Sequence, residues 1–231
     1  MNAKYAKFFI AGLFVLLEFI LLKYDLIRII GVAGASFPAA AAFAPAVSGI
    51  IGYAAFPIIL LTNTSYALVN GASLNRAFLL ILVSMGLPLA CASLYFGRRN
   101  VRVLAIPAAC MIAFWLHPVG SQVWYFALLW LVPAAIHYMH GARIGPVLDG
   151  IGAAFVDHSV GSVLYLYALD IPAAAWQAAF FQAVFERLTF GLGIAASYYA
   201  LKYVTLNVEA MLNRRYGLDF SVSKLFGVEM H

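Results

Sequence analysis

The sequence predicts an all-α protein, a polytopic membrane helix bundle of six transmembrane helices with one extra or broken segment, and three observations carry that expectation. Only 10% of the 231 residues are charged while 65% are hydrophobic and the mean hydropathy is +0.94, whereas soluble domains hold about 25% charged residues. Apolar runs recur at the length of a span, about 20 residues, and the chain has room for six or seven with short loops. These runs, such as 77–96, are continuous, unlike the alternating segments of about ten residues that mark a closed barrel.

The first run, 8–31, contains FFIAGLFVLLEFILL at 8–22. Lys23, Tyr24 and Asp25 follow where a secretion signal needs small residues, so this segment reads as a retained first span. The stretch 33–46 is too rich in Ala and Pro for an ordinary span and reads as a re-entrant segment or a loop pressed into the protein. Further runs follow at 45–61, 77–97, 103–116, 121–139, 146–169 and 173–202. If one run is a broken half-helix, His117-Pro118 is the expected break, because proline removes a helical hydrogen bond. Residues 1–202 thus form one transmembrane domain, and 203–231 a cytoplasmic or interfacial tail, either an amphipathic helix on the membrane surface or a docking surface for a partner.

Lys and Arg concentrate in cytoplasmic loops. Arg98, Arg99 and Arg102, then Arg143, then Lys202, Arg214 and Arg215 mark that side. The turns 62–76, 117–121 and 169–172 carry only Arg76 and Asp170 as charges and are expected outside, which puts the C-terminus in the cytoplasm. The N-terminus stays open between two readings, one with Lys4 and Lys7 inside and one with Lys23 and Arg28 inside. The net charge of +5 sits mainly at span ends, where it sets topology and meets anionic headgroups of the lipid bilayer, so no nucleic acid partner is expected. Cys91 and Cys110 lie in apolar runs without CxxC spacing and read as small buried hydrophobes. No metal or other cofactor is expected.

Ionisable groups within spans are costly and normally face a bundle interior with partners. They gather in two places: Glu18 in the first run, and Asp157, His158, Glu186 and Arg187 in the last two. Those two runs form a hairpin turning near Pro172, and residues 157 and 187 are each 15 positions from it, about 22 Å at 1.5 Å per residue. An Asp157–Arg187 ion pair, with Glu186 near His158, is the expected arrangement. Gln182 and Glu186, four apart, share one helix face that Thr189 continues. Such a cluster either fixes how two helices dock or lines a site for a small-molecule solute. In the second case Asp157, His158, Gln182, Glu186 and Arg187 bind the solute.

The external turns supply Asn63, Thr64, Asn70 and Asn75, then Trp115, His117, Gln122, Trp124 and Tyr125. Asn70, His117 and Trp124 are candidates at the mouth of that site, whereas Trp130 and Tyr138 read as interfacial anchors. Small residues four apart, at Ala35/Ala39, Ala40/Ala44, Gly191/Ala195 and Gly193/Ser197, permit close helix approach.

The spans GPVLDGIGAAFVDHSVGSVLYLY at 145–167 and IPAAAWQAAFFQAVFERLTFGLGIA at 171–195 resemble substrate-binding S components of prokaryotic energy-coupling factor (ECF) transporters. FAPAVSGIIGYAAF at 43–56 and LHPVG at 116–120 are similar to their Pro/Gly-rich early helices, and the likeness covers most of 40–200. The resemblance implies a six-helix protein of the prokaryotic cell membrane that captures a vitamin-like or metal-related solute from outside. It also implies docking on a membrane coupling subunit driven by two cytosolic ATPases, and no GxxxxGK[ST] loop for ATP stands in this chain. The AxxxA docking face common on the first helix of that family is missing from 8–22, with Ala35/Ala39 as a substitute.

Two alternatives come from other classes. Ser48-Gly49 with His158 suggests an intramembrane, rhomboid-like hydrolase, although AVSG lacks the leading glycine of GxSG. His137, His140 and His158 suggest a haem-carrying or accessory subunit.

Overall fold

A computed structural model describes residues 3–28, 36–70, 86–97, 100–140, 145–217 and 219–228. Helix α1 (Ala3–Leu21) ends where the apolar run meets Lys23, Tyr24 and Asp25. Its last turn tightens, with the Lys23 amide bonding the Ile20 carbonyl at 3.1 Å. Strand β1 (Asp25–Arg28) then pairs antiparallel with β2 (Ser36–Pro38). Over its described part, 8–28, the expected single run is therefore corrected to a helix, a turn and a strand. Ala35, Asn75, Arg76, Arg98, Arg99 and Arg143 lie outside the described residues.

Helix α2 (Ala40–Ile51) corrects the reading of 33–46 as irregular from residue 40 onward: Ala-rich turns make this helix thin enough to sit in the core, and most of it is buried. A short 3-10 turn (Gly52–Ala54) leads into α3 (Ala55–Val69). The expected external turn at 62–76 begins later than predicted, because 62–69 is helical. Thr62 and Thr64 donate their hydroxyls to the carbonyls of Ile58 and Leu60, so these polar residues stay within the helix.

The chain continues through α4 (Leu87–Gly97), a 3-10 turn (Val101–Leu104), α5 (Ala105–Leu116), α6 (Pro118–Gln122), a 3-10 segment (Trp124–Leu131) and α7 (Val132–His140). It closes with α8 (Pro146–Ala168), α9 (Ala173–Tyr216) and α10 (Val222–Phe226). At His117-Pro118 one helix ends and the next begins, between two runs and not inside one, so the expected half-helix break is not there: His117 is extended, with ψ 138°, and its Nδ1 accepts the Val119 amide to cap α6. Among the described residues three stretches, Ala40–Val69, Pro146–Ala168 and Ala173–Tyr216, are by length and composition long and apolar enough to cross a membrane.

Close contacts fix the direction of each helix. Ala42 faces Gly193 and Gly49 faces Tyr198, so α2 runs parallel to α9. Gly152 meets Tyr95 and Gly161 meets Pro88, so α8 opposes α4. Gly97 lies on Ser48 and Gly86 on Asn63, so α3 climbs back from the level at which α2 ends. The reversal sits at Gly52, whose φ of 61° suits glycine, and a Cβ there would stand 2.8 Å from Val228.

Helix α9, at 44 residues, extends about 66 Å, twice the roughly 30 Å hydrocarbon thickness, and runs through residue 202 without a break. Beyond the left-handed Gly217, the tail folds back. The Asn213 side chain bonds both the amide and the carbonyl of Phe220, and the Glu209 carboxylate accepts the Val222 amide. Val222 and Val228 are buried, and the Lys7 ammonium lies 5.7 Å above the Phe226 ring. The tail is thus bound to the bundle, and the start of α1 lies at the same end as the tail.

A close backbone seam joins α8 to α9. A Cβ on Gly150 would stand 2.3 Å from the Gly191 carbonyl oxygen, and one on Gly191 would stand 2.6 Å from Ile151 Cα. Gly150→Ala should push these helices apart and cost about 1–3 kcal/mol or more, read as a lowered Tm of the detergent-solubilised protein. Gly12→Ala, inside α1 with no atom within 4 Å of its added Cβ, is the expected control without loss of stability.

Candidate functional site in the last two long helices

Backbone contact at Gly150 and Gly191 sets α8 and α9 side by side, and the chain between them turns at Leu169–Pro172. Positions equally far from that turn meet. Arg187 Nη1 donates to Asp157 Oδ2 at 2.9 Å, and Arg187 Nη2 to Glu186 Oε2 at 3.4 Å. Gln182 Nε2 donates to Glu186 Oε1 at 2.6 Å from one turn earlier. Arg187 is 2% exposed, and its guanidinium carbon lies 5.2 Å from the Phe190 ring centroid. The expected ion pair forms, and the expected Gln182–Glu186 face forms with it.

The other half of the expectation is corrected: Glu186 turns to Gln182 and Arg187, not to His158. Successive residues on a helix are rotated by about 100°, so with Asp157 aimed at α9 its neighbour His158 faces the 3-10 segment instead. Its ring lies 5.5 Å from Phe126 and 6.4 Å from Trp130, and its Nδ1 is 3.4 Å from Ser162 Oγ. Thr189 bonds the carbonyl of Phe185 in its own helix and adds nothing to the network.

His158 belongs to a second cluster, of rings from four elements. Phe114 of α5 contacts Phe126, Trp130 and Trp176 at centroid distances of 5.9, 5.2 and 5.4 Å. Phe126 contacts Trp176 at 5.1 Å. Trp130 was expected as an interfacial anchor; it is corrected to a core residue, 1% exposed. Trp176 lies near a span end in sequence, which hides its burial, whereas Trp130 stands in the middle of the run 121–139, a position that could have signalled burial.

The three mouth candidates do not reach either cluster's polar atoms. Asn70 Nδ2 bonds the Tyr66 carbonyl at 2.8 Å at the exposed end of α3. His117 caps α6 and packs on Tyr167 at 4.8 Å. Trp124 is 55% exposed, and its carbonyl accepts the Trp115 indole N–H at 2.9 Å. Each satisfies local backbone or packing.

Glu18 finds its partner elsewhere. Asn63 Nδ2 donates to Glu18 Oε1 at 2.9 Å, with both residues buried between α1 and α3. Ser48 Oγ donates to the Pro45 carbonyl at 2.6 Å, so Ser48 and His158 each bond within their own helix. Cys91 and Cys110 are free thiols, and among the described residues no group of His, Cys, Asp and Glu is placed to hold a metal ion.

Chemically, the α8–α9 network offers two carboxyl groups and one guanidinium within the apolar interior. Removal of one partner from a buried pair costs about 3–5 kcal/mol. The chain matches no protein-family model, no curated protein and no solved structure.

Asp157→Arg alone should therefore lower stability strongly, and Asp157→Arg with Arg187→Asp should recover much of the loss. The check is a double-mutant cycle on thermal unfolding, in which contacting residues give a coupling term of about 0.5–3 kcal/mol. Simple additivity would show that the two side chains are not direct partners.

Proposed function

We propose that this protein is the membrane-embedded substrate-capture component of an ECF-type uptake transporter for a small vitamin-like or related solute, without ATPase activity of its own. The observation that carries this reading is the buried polar network of Asp157, Arg187, Glu186 and Gln182. Ionisable groups at that depth in apolar helices normally mark a solute or ion site. A docking contact between two helices needs one pair, and here a second carboxyl group and an amide are added to it. The network also lies within the two spans that carry the likeness to S components, 145–167 and 171–195.

In this reading the chain sits in the cell membrane of a prokaryote and crosses it six times. The crossings are α1, the run ending in α4, α5, the 3-10 segment with α7, α8, and α9; the α2–α3 pair folded at Gly52 is the broken segment. Placement of Lys7 beside the tail supports a cytoplasmic N-terminus together with a cytoplasmic C-terminus. The solute arrives from the side of the α8–α9 turn. Energy comes from a coupling subunit and two cytosolic ATPases bound to the cytoplasmic face, and the chain holds no nucleic acid.

Gentle purification from native membranes is expected to bring down a coupling subunit and two ATPases. A cysteine introduced at Asn100 should resist an impermeant thiol reagent in intact cells and react after permeabilisation. Solute movement by the chain alone in liposomes under an ion gradient, with no co-purifying ATPase, would replace this reading with a secondary transporter.

A further inference from the structure

Trp130, Trp176 and His158 share one aromatic cluster, and three of their nitrogens stand out. Trp130 Nε1, Trp176 Nε1 and His158 Nε2 are all buried, and none has a hydrogen-bond partner among the described residues. An indole N–H is a donor only. Leaving such a donor buried and unsatisfied costs about 1–3 kcal/mol, and native proteins hold few such groups. Three of them, on three different elements within one connected set of rings, point to an occupant that accepts hydrogen bonds.

The surroundings restrict what that occupant is. The buried apolar residues packed together here are Met111, Phe114, Val123, Phe126, Ala127, Trp130, Leu166, Trp176 and Ala183. A charged solute would lose its hydration here and would need a free counter-charge in return. The nearby ionised groups of α8 and α9 are engaged with each other. The rings of Trp130, His158, Phe126 and Trp176 meet one another at 44–86°, and an aromatic lining of this kind favours a flat ring as its occupant. Trp176 lies four residues beyond Pro172 and His158 beside Asp157, so these rings lead from the α8–α9 turn inward to the ion pair.

We propose that the rings of Phe114, Phe126, Trp130, His158 and Trp176 form a binding subsite for a flat, uncharged heteroaromatic solute bearing hydrogen-bond acceptors at its edge. The two indole N–H groups donate to those acceptors, and the His158 imidazole supplies a third contact. This assignment rests on the solute-capture reading and names the class of solute that the site takes.

The test uses the full-length protein in detergent with caffeine, uracil and lumichrome as probes, each a flat uncharged ring with carbonyl acceptors. At least one is expected to raise Tm and change indole fluorescence at millimolar concentration. Trp130→Phe and Trp176→Phe keep a ring and remove one donor, so each should weaken the responding probe about tenfold. The same variants lose buried ring volume as well as an unsatisfied donor, so affinity is read below the Tm of each folded variant; Trp124→Phe should bind as the unmodified protein does. Failure of all three probes, or unchanged affinity in both variants, overturns the subsite and makes the cluster packing alone. If ATPases co-purify and no probe binds, the subsite falls while the transporter reading stands. If a probe binds through both tryptophans and no ATPase co-purifies, the subsite stands and the transporter reading falls.

Discussion

The backbone contact between α8 and α9 at Gly150 and Gly191 is the constraint on which the rest of the arrangement depends. With no side chain between them, the two helices approach closely enough for Asp157 to reach Arg187 at 2.9 Å. In hydrocarbon there is no hydrophobic force to press apolar helices together, so small residues that admit close packing carry that task. Once α9 is held there, Gly193 admits Ala42 of α2, and Tyr198 and Phe96 close over Gly49. The same helix pair turns His158 toward the 3-10 segment and brings Trp176 onto Phe114 and Phe126.

Polar side chains in this protein divide by how they are satisfied. Thr62, Thr64, Ser93, Ser159 and Thr189 bond carbonyls three or four residues back in their own helices. Such bonds form in any helix and say nothing about tertiary structure. Glu18, Asp157, Glu186 and Arg187 are different, because a charge has no adequate partner in its own backbone and must be met by another side chain. Asn63 does both, bonding the Ile59 carbonyl and Glu18. The long-range polar contacts of α1, α3, α8 and α9 are therefore also the ones that fix which helices are neighbours.

That division explains what was legible in the sequence. The Asp157–Arg187 pair follows from helical rise and one recognisable turn, and the helix end at His117-Pro118 follows from proline chemistry. Helix α2 was hidden because its Ala-rich start lacks the bulk of a lipid-facing span, although small residues are what a buried helix needs. The helix over 62–69 was hidden because Asn63 and Thr64 look like turn residues until their carbonyl partners are seen. Helix rotation is the quantity that depth arithmetic does not contain, and it is where Glu186 and His158 were wrongly paired. Burial of Trp130 depends on a 3-10 segment eight residues long; runs of that kind are uncommon, and the apolar run at 121–139 gives no sign of the changed twist.

The length of α9 has a mechanical meaning. One uninterrupted helix carries Trp176 and Arg187 near one end and Glu209 and Asn213 near the other, where they hold the folded-back tail. A rod of about 66 Å that tilts by about 1° around its first turn shifts its far end by about 1 Å. The closing of rings around an occupant at Trp176 would thus be delivered as a displacement at the tail and at the first turns of α1 beneath it, with no relay of side chains in between.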